Sequence, residues 1–236
     1  RNAGVNVRSS VVTGEVPRMI VERARSGQFG LIALAHKTRS GMFSRRSRTV
    51  FDRVWKHTLT PLMAVSVSTE RPIDQIVSPP NNVVLPLDGT RSAEWAVPYV
   101  KRVAKAANIN VTIAGTLRPG IMTALRSIGA NRTPVNALLE SYLETKADDL
   151  RASGIEVQIA EPISKPSVSP ILGRFNPKGS LIVMASPLRY GWARLVLGSL
   201  GHKIIDRVNG PVILVPIGRS KTDMPMTDKE ANTRDF

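Results

Sequence analysis

The chain contains no cysteine. That excludes disulfides, thiol catalysis and zinc or iron–sulfur sites held by cysteine. Aromatic residues are scarce, at 5%, and none is interleaved with the basic residues as a base-stacking platform would require. Specific nucleic-acid recognition is therefore not expected. No apolar run approaches the roughly 20 residues of a membrane-spanning helix. The opening RNAGVNVRSS lacks the apolar core of a signal peptide, and the expectation is a cytoplasmic protein. Acidic residues are also few: 18 Asp and Glu stand against 33 Lys and Arg, a formal net charge of +15. The excess is spread along the chain, which favours an anionic ligand or an acidic partner over a simple basic tail. The plainer explanation is a solvated basic surface. The three histidines, His36, His57 and His202, are scattered. No metal-ligand spacing, Ser-His-Asp set or carboxylate pair falls in matching loops. The sequence points to no enzyme and requires no metal.

What is present is an α/β pattern. The stretch Ser180–Ile217 is the most organised. Leu181–Met184 and Val212–Val215 are short apolar runs rich in Val and Ile, the mark of strands buried on both faces. Between them the spacing of Ile204, Ile205 and Val208 predicts a helix over 199–208, opened by Gly198-Ser199 and stopped by Asn209-Gly210-Pro211. A strand that feeds a helix through such a loop offers free N–H groups and a positive helix end to an anion.

Residues 1–69 read as strand (Val5–Thr13), helix (17–26), strand (Gly30–Ala35), very basic loop (36–49), helix (Val50–Thr58) and strand (Pro61–Val67). Lys37, Arg39, Arg45, Arg46 and Arg48 make that loop a dense cationic patch, or simply a solvated one. Residues 70–81, with Pro79-Pro80, form a linker. Asn82–Leu87 is a strand closed by Asp88-Gly89-Thr90. Ser92 is the expected N-cap of a helix running to Ala107. Asn110–Gly115 is the next strand, 134–153 a helix, and Ile155–Ala160 a strand. Residues 218–236 carry no apolar periodicity and read as a disordered tail. The two units repeat each other: 155–160 answers 5–13, 181–186 answers 31–36, and 211–217 answers 61–67.

Alternating strands and helices imply right-handed crossovers and a parallel sheet covered on both faces. Residues 82–217 fit a doubly wound, five-stranded domain. In such sheets the ligand lies outside the carboxyl ends of the strands, where the strand order reverses.

Two motifs carry a family resemblance. One is VVLPLDGTRSAEWAVPYV (83–100): an apolar strand, an Asp, a small pair and a helix. The other is the loop after Leu181–Ser186, with Arg189, Gly191, Arg194 and Gly198-Ser199. Together they resemble universal stress proteins. The resemblance implies strand order 3-2-1-4-5 and a site between the first and fourth strands for ATP or a related nucleotide. On that pattern the site residues are Asp88, Gly89, Met184, Ala185, Arg189, Gly191, Gly198 and Ser199. The family's glycine pattern is only partly kept, because Ala185 and Leu188 occupy its first two glycine places. Leu188 can fill space that a ribose or phosphate would use. Two readings follow: a nucleotide-binding stress or signalling module, or a degenerate member that contacts partners through its basic loops. The resemblance also implies that Leu62–Val67 and Val212–Pro216, the last strands of the two units, pair antiparallel. That pairing would join a partial first copy (1–69) to a complete second one (82–217), with a homodimer as a further expectation. Residues 1–69 lack the first two strands of the pattern, so the expectation is that this unit is the C-terminal half of a domain begun upstream.

Overall fold

A computed structural model describes residues 6–37, 50–67, 79–116, 135–163, 179–187 and 210–217. The described elements, in chain order, are helix α1 (Val16–Ala24), strand β1 (Ile32–Lys37), helix α2 (Val50–His57), β2 (Leu62–Val67) and β3 (Asn82–Leu87). Then follow α3 (Arg91–Glu94), α4 (Val97–Ala107), β4 (Asn110–Thr116), α5 (Val135–Arg151), β5 (Val157–Ile163), β6 (Ser180–Pro187) and β7 (Pro211–Ile217).

The strands form one seven-stranded sheet in the order β1-β2-β7-β6-β3-β4-β5. Read from the β5 edge, the strands of residues 82–217 run 3-2-1-4-5. They are parallel throughout, with β3 flanked by β4 and β6. The expected five-stranded sheet is thus part of a larger mixed one. Its extension starts at β7, where β2 pairs antiparallel in the register Leu62↔Leu214, Met63↔Ile213, Ala64↔Val212 and Val65↔Pro211. β1 then pairs parallel with β2.

Burial on both faces explains why these strands are apolar runs and do not alternate. Along β3, Val84 joins Ile182, Met184, Val212, Leu214 and Leu62 on one face, under Val21, Phe51, Val54 and Trp55 of α1 and α2. Val83, Leu85 and Leu87 join Val111, Ile113, Leu181 and Val215 on the other, under Val97 and Val100 of α4 and Leu139, Leu143 and Leu150 of α5. The crossovers β3–α4–β4 and β4–α5–β5 advance in the same direction, so right-handedness places both helices on one face.

Two sequence expectations need correction. Val5–Thr13 was expected to be a strand, but residues 6–13 form none. Val7 is 80% and Val11 fully exposed. A lone strand has no ladder to complete, and among the described residues β1 pairs only with β2. The expected single helix from Ser92 to Ala107 is instead broken at Trp95-Ala96, with Thr90 as the N-cap of its first piece. Pro98 causes the break, because it has no N–H to donate to the Glu94 carbonyl four residues earlier. The helix expected over 199–208, the linker core and the tail lie outside the described residues.

Candidate functional site

The site is built where β3 and β6 separate. Their ladder comprises Asn82↔Ser180, Val83↔Leu181 and Val84↔Ile182 and goes no further. β3 stays with β4 as far as Leu87↔Gly115, while β6 stays with β7 as far as Pro187↔Ile217. A crevice therefore opens between the carboxyl halves of β3 and β6, at the point where the chain winds off in both directions. This is where doubly wound sheets take ligands.

Asp88-Gly89-Thr90 forms the β3 rim of the crevice. Gly89 has φ 76°, a left-handed conformation that costs a side-chain-bearing residue about 1 kcal/mol or more. The Asp88 carboxylate folds back over this turn. Its Oδ1 accepts from the Thr90 amide at 3.1 Å and from the Thr90 hydroxyl at 2.5 Å. The same hydroxyl accepts from the Ala93 amide at 3.2 Å, capping α3. Asp88 is thus both the residue at the strand end and the closure of the turn that starts the helix. On the opposite rim, Ser186 is buried and Ala185 half-buried. Ala185 packs on the α4/α5 side of the sheet, whereas Met184 is buried in the cluster beneath α1 and α2. Of the eight predicted site residues, the structure thus brings Asp88, Gly89 and Ala185 to the crevice. Met184 lies on the adjoining strand but is a core residue. Arg189, Gly191, Gly198 and Ser199, with Leu188 and Arg194, lie outside the described residues.

Sequence reasoning missed the residues behind Asp88. The Tyr142 hydroxyl donates to Glu94 Oε1 at 3.2 Å. Lys146 Nζ lies 2.9 Å from Glu94 Oε2 and 5.6 Å from the centroid of the Tyr142 ring. No motif spacing could reveal this group, because Glu94 and Tyr142 are 48 residues apart. Thr90 did carry a signal, since a hydroxyl two residues after an Asp is a common turn and cap arrangement.

Burial pushes the Tyr142 phenol far above its usual range, helped by the Glu94 charge, the hydrogen bond to Glu94 and the Asp88 charge. An unfolded chain ionises its tyrosines near pH 10. Below that pH the neutral phenol contributes its full stability. As pH rises above it, the unfolded state alone releases the proton and stability falls. Tyr142→Phe should flatten that decline. Urea midpoints of the protein and the variant at pH 8.5 and pH 11 measure it, and equal losses in both would show that the phenol is not held neutral by its surroundings.

Among the described residues no cluster of His, Asp or Glu could hold a metal ion, and no helix is long and apolar enough to cross a membrane.

Comparison with known proteins agrees with this fold. The sequence pattern of the Universal stress protein family matches residues 80–216. No match was found among curated proteins. Of solved structures, a universal stress protein from Archaeoglobus fulgidus DSM 4304 is similar, with a TM-score of 0.60 and 19% identity; the match covers 86% of this chain and 66% of that one. A functionally unknown protein from Pseudomonas aeruginosa PAO1 has a TM-score of 0.52 and 12% identity, covering 87% and 69%. A universal stress protein solved in complex with cAMP is 25% identical with a TM-score of 0.45, covering 59% of this chain and 98% of that one. The chain spans just under two thirds of the length of the Archaeoglobus protein. The first two likenesses show the fold. The family pattern spans more than half of the residues, β3 through β7 with the Asp88 crevice among them, and the chain belongs to the universal stress protein family.

Proposed function

We propose that the chain is a nucleotide-binding stress or signalling module, not an enzyme, and that it takes ATP or a related nucleotide in the β3/β6 crevice. The observation that carries this reading is the parting of the β3 and β6 ladders beside the Asp88 turn. A carboxylate accepts hydrogen bonds from N–H and O–H groups and repels phosphate. Asp88 therefore suits the base or ribose end of a nucleotide. The chain leaving β6 after Pro187 carries Arg189 and Arg194, cations suited to the phosphate end. On the same reading, residues 1–69 are a partial second copy of the domain, joined to the first through β2 and β7. The alternative, a member that keeps the fold and has lost the ligand, is favoured by Ala185 and Leu188 in place of glycines.

Calorimetry of the intact chain with ATP, ADP and AMP, together with a search for co-purified nucleotide, separates the two readings. A hydrogen bond to a charged group contributes about 1.5–3 kcal/mol, so Asp88→Ala should weaken binding at least about tenfold. Asp88→Asn, which keeps an acceptor for the Thr90 turn, controls for damage to the loop. If the intact chain binds none of the three nucleotides at millimolar concentration, the degenerate reading takes its place.

A further inference from the structure

Helix α3 has only four residues, Arg91–Glu94, far below the length at which a helix holds itself in water. It is nevertheless fixed at both ends. At its start, the Thr90 hydroxyl donates to Asp88 Oδ1 at 2.5 Å and accepts from the Ala93 amide at 3.2 Å. At its end, one Glu94 carboxylate oxygen accepts from the Tyr142 hydroxyl at 3.2 Å and the other lies 2.9 Å from Lys146 Nζ. Tyr142 and Lys146 stand four residues apart, one turn of α5, so both reach Glu94 from a single face. α5 is itself immobilised, because Leu139, Leu143, Ala147 and Leu150 are buried against the sheet. The Glu94–Lys146 pair is only 23% exposed on each side, where water screens it much less than a surface pair. A continuous line of bonds therefore runs from the rigid helix α5, through Glu94 and α3, to Thr90 and Asp88. α3 also packs against both β6 and β3, the two strands whose separation makes the crevice.

We propose that Glu94, Tyr142 and Lys146 are positioning residues of the crevice: a clasp that sets the place of the Asp88 carboxylate by holding α3 to α5. The importance of this clasp for ligand binding rests on the crevice being the nucleotide site; its hold on Asp88 does not. Lys146 also neutralises Glu94. Without it a second carboxylate would stand uncompensated near Asp88, raising the repulsion felt by any anionic ligand. Glu94 would then be held to α5 by the Tyr142 hydroxyl alone, and α3 would rest on that bond, its Thr90 cap and its packing on β6 and β3.

The test uses the intact, isotope-labelled chain and the variants Lys146→Met, Glu94→Gln, Tyr142→Phe and Lys146→Arg. Two readouts are taken: the amide resonances of Thr90 and Ala93, which report the two bonds at the start of α3, and the affinity for ATP. We expect Lys146→Met and Glu94→Gln to shift both amide resonances and to weaken ATP about 5- to 20-fold. Tyr142→Phe, which removes one hydroxyl and is the variant least able to disturb folding, should do the same to a smaller extent. Lys146→Arg, which keeps the charge, should restore both readouts. Unmoved Thr90 and Ala93 resonances in Lys146→Met, Glu94→Gln and Tyr142→Phe overturn the clasp whether or not nucleotide binds. Shifted resonances with unchanged ATP affinity overturn the role in binding. Shifted resonances in a protein that binds no nucleotide at all support the clasp and overturn the nucleotide reading instead.

Discussion

Replacing Leu214 by Ala is expected to destabilise the protein by about 2–5 kcal/mol. Leu214 is fully buried and stands opposite Leu62, also fully buried, across the antiparallel seam of β7 and β2. Both side chains lie in the cluster that joins α1 and α2 to the sheet, with Val54, Trp55, Ile182, Met184 and Val212 around them. Truncation leaves a cavity whose lining cannot collapse, because rigid strands flank it on both sides. Urea denaturation measures the loss. The seam makes a sharper forecast through the double mutant. Leu62→Ala and Leu214→Ala remove two halves of one contact, so their effects should fall short of additivity by about 0.5–3 kcal/mol. Strict additivity, with a separate unfolding transition for residues 6–67, would mean that the seam does not hold in solution.

The second large effect concerns Gly115. A Cβ at this position would run into Cδ1 of Leu143, a fully buried residue of α5. Glycine is therefore used here for close approach of helix to strand. Gly115→Ala should cost about 1–3 kcal/mol by overpacking, and Leu143→Ala about 2–5 kcal/mol by cavity formation. The added methyl would enter the space that the lost isobutyl group leaves. Gly115→Ala with Leu143→Ala should accordingly be more stable than the sum of the single losses predicts. Thermal melts of the three variants decide it. A double mutant at or below the additive value would show that Gly115 is required for another reason.

The sequence made the described elements legible wherever hydrophobic runs were short and bounded by Gly, Pro or Asp. Asn82–Leu87 was placed to the residue because Asp88-Gly89 ends it. The antiparallel pairing of 62–67 with 212–216 came from the family resemblance, and no periodicity could supply it. The strand expected over 5–13 failed because alternating valines state a willingness to be extended but not the presence of a neighbour. The helix start was misplaced at Ser92 because local capping preference ranks Ser above Thr, whereas Thr90 is the cap. The Asp two residues before Thr90 was the signal against Ser92, and in the fold Thr90 closes the turn and caps the helix together. For the site, Asp88 was readable as the polar residue at the end of a buried strand. Glu94, Tyr142 and Lys146 were not, because a long-range contact between ordinary charged and aromatic residues leaves no spacing in the sequence.

The reversal of direction at the β2–β7 seam gives the molecule two distinct rims. β3 and β6 run one way, and β1 and β2 the other. The carboxyl end of β1, at Lys37, therefore faces away from the carboxyl end of β3, at Asp88. The strands are six residues long, so the rims are separated by about 20 Å. A ligand seated beyond Asp88 and a partner seated beyond Lys37 would not compete for space or screen one another's charge, and occupancy at one rim would leave the other accessible.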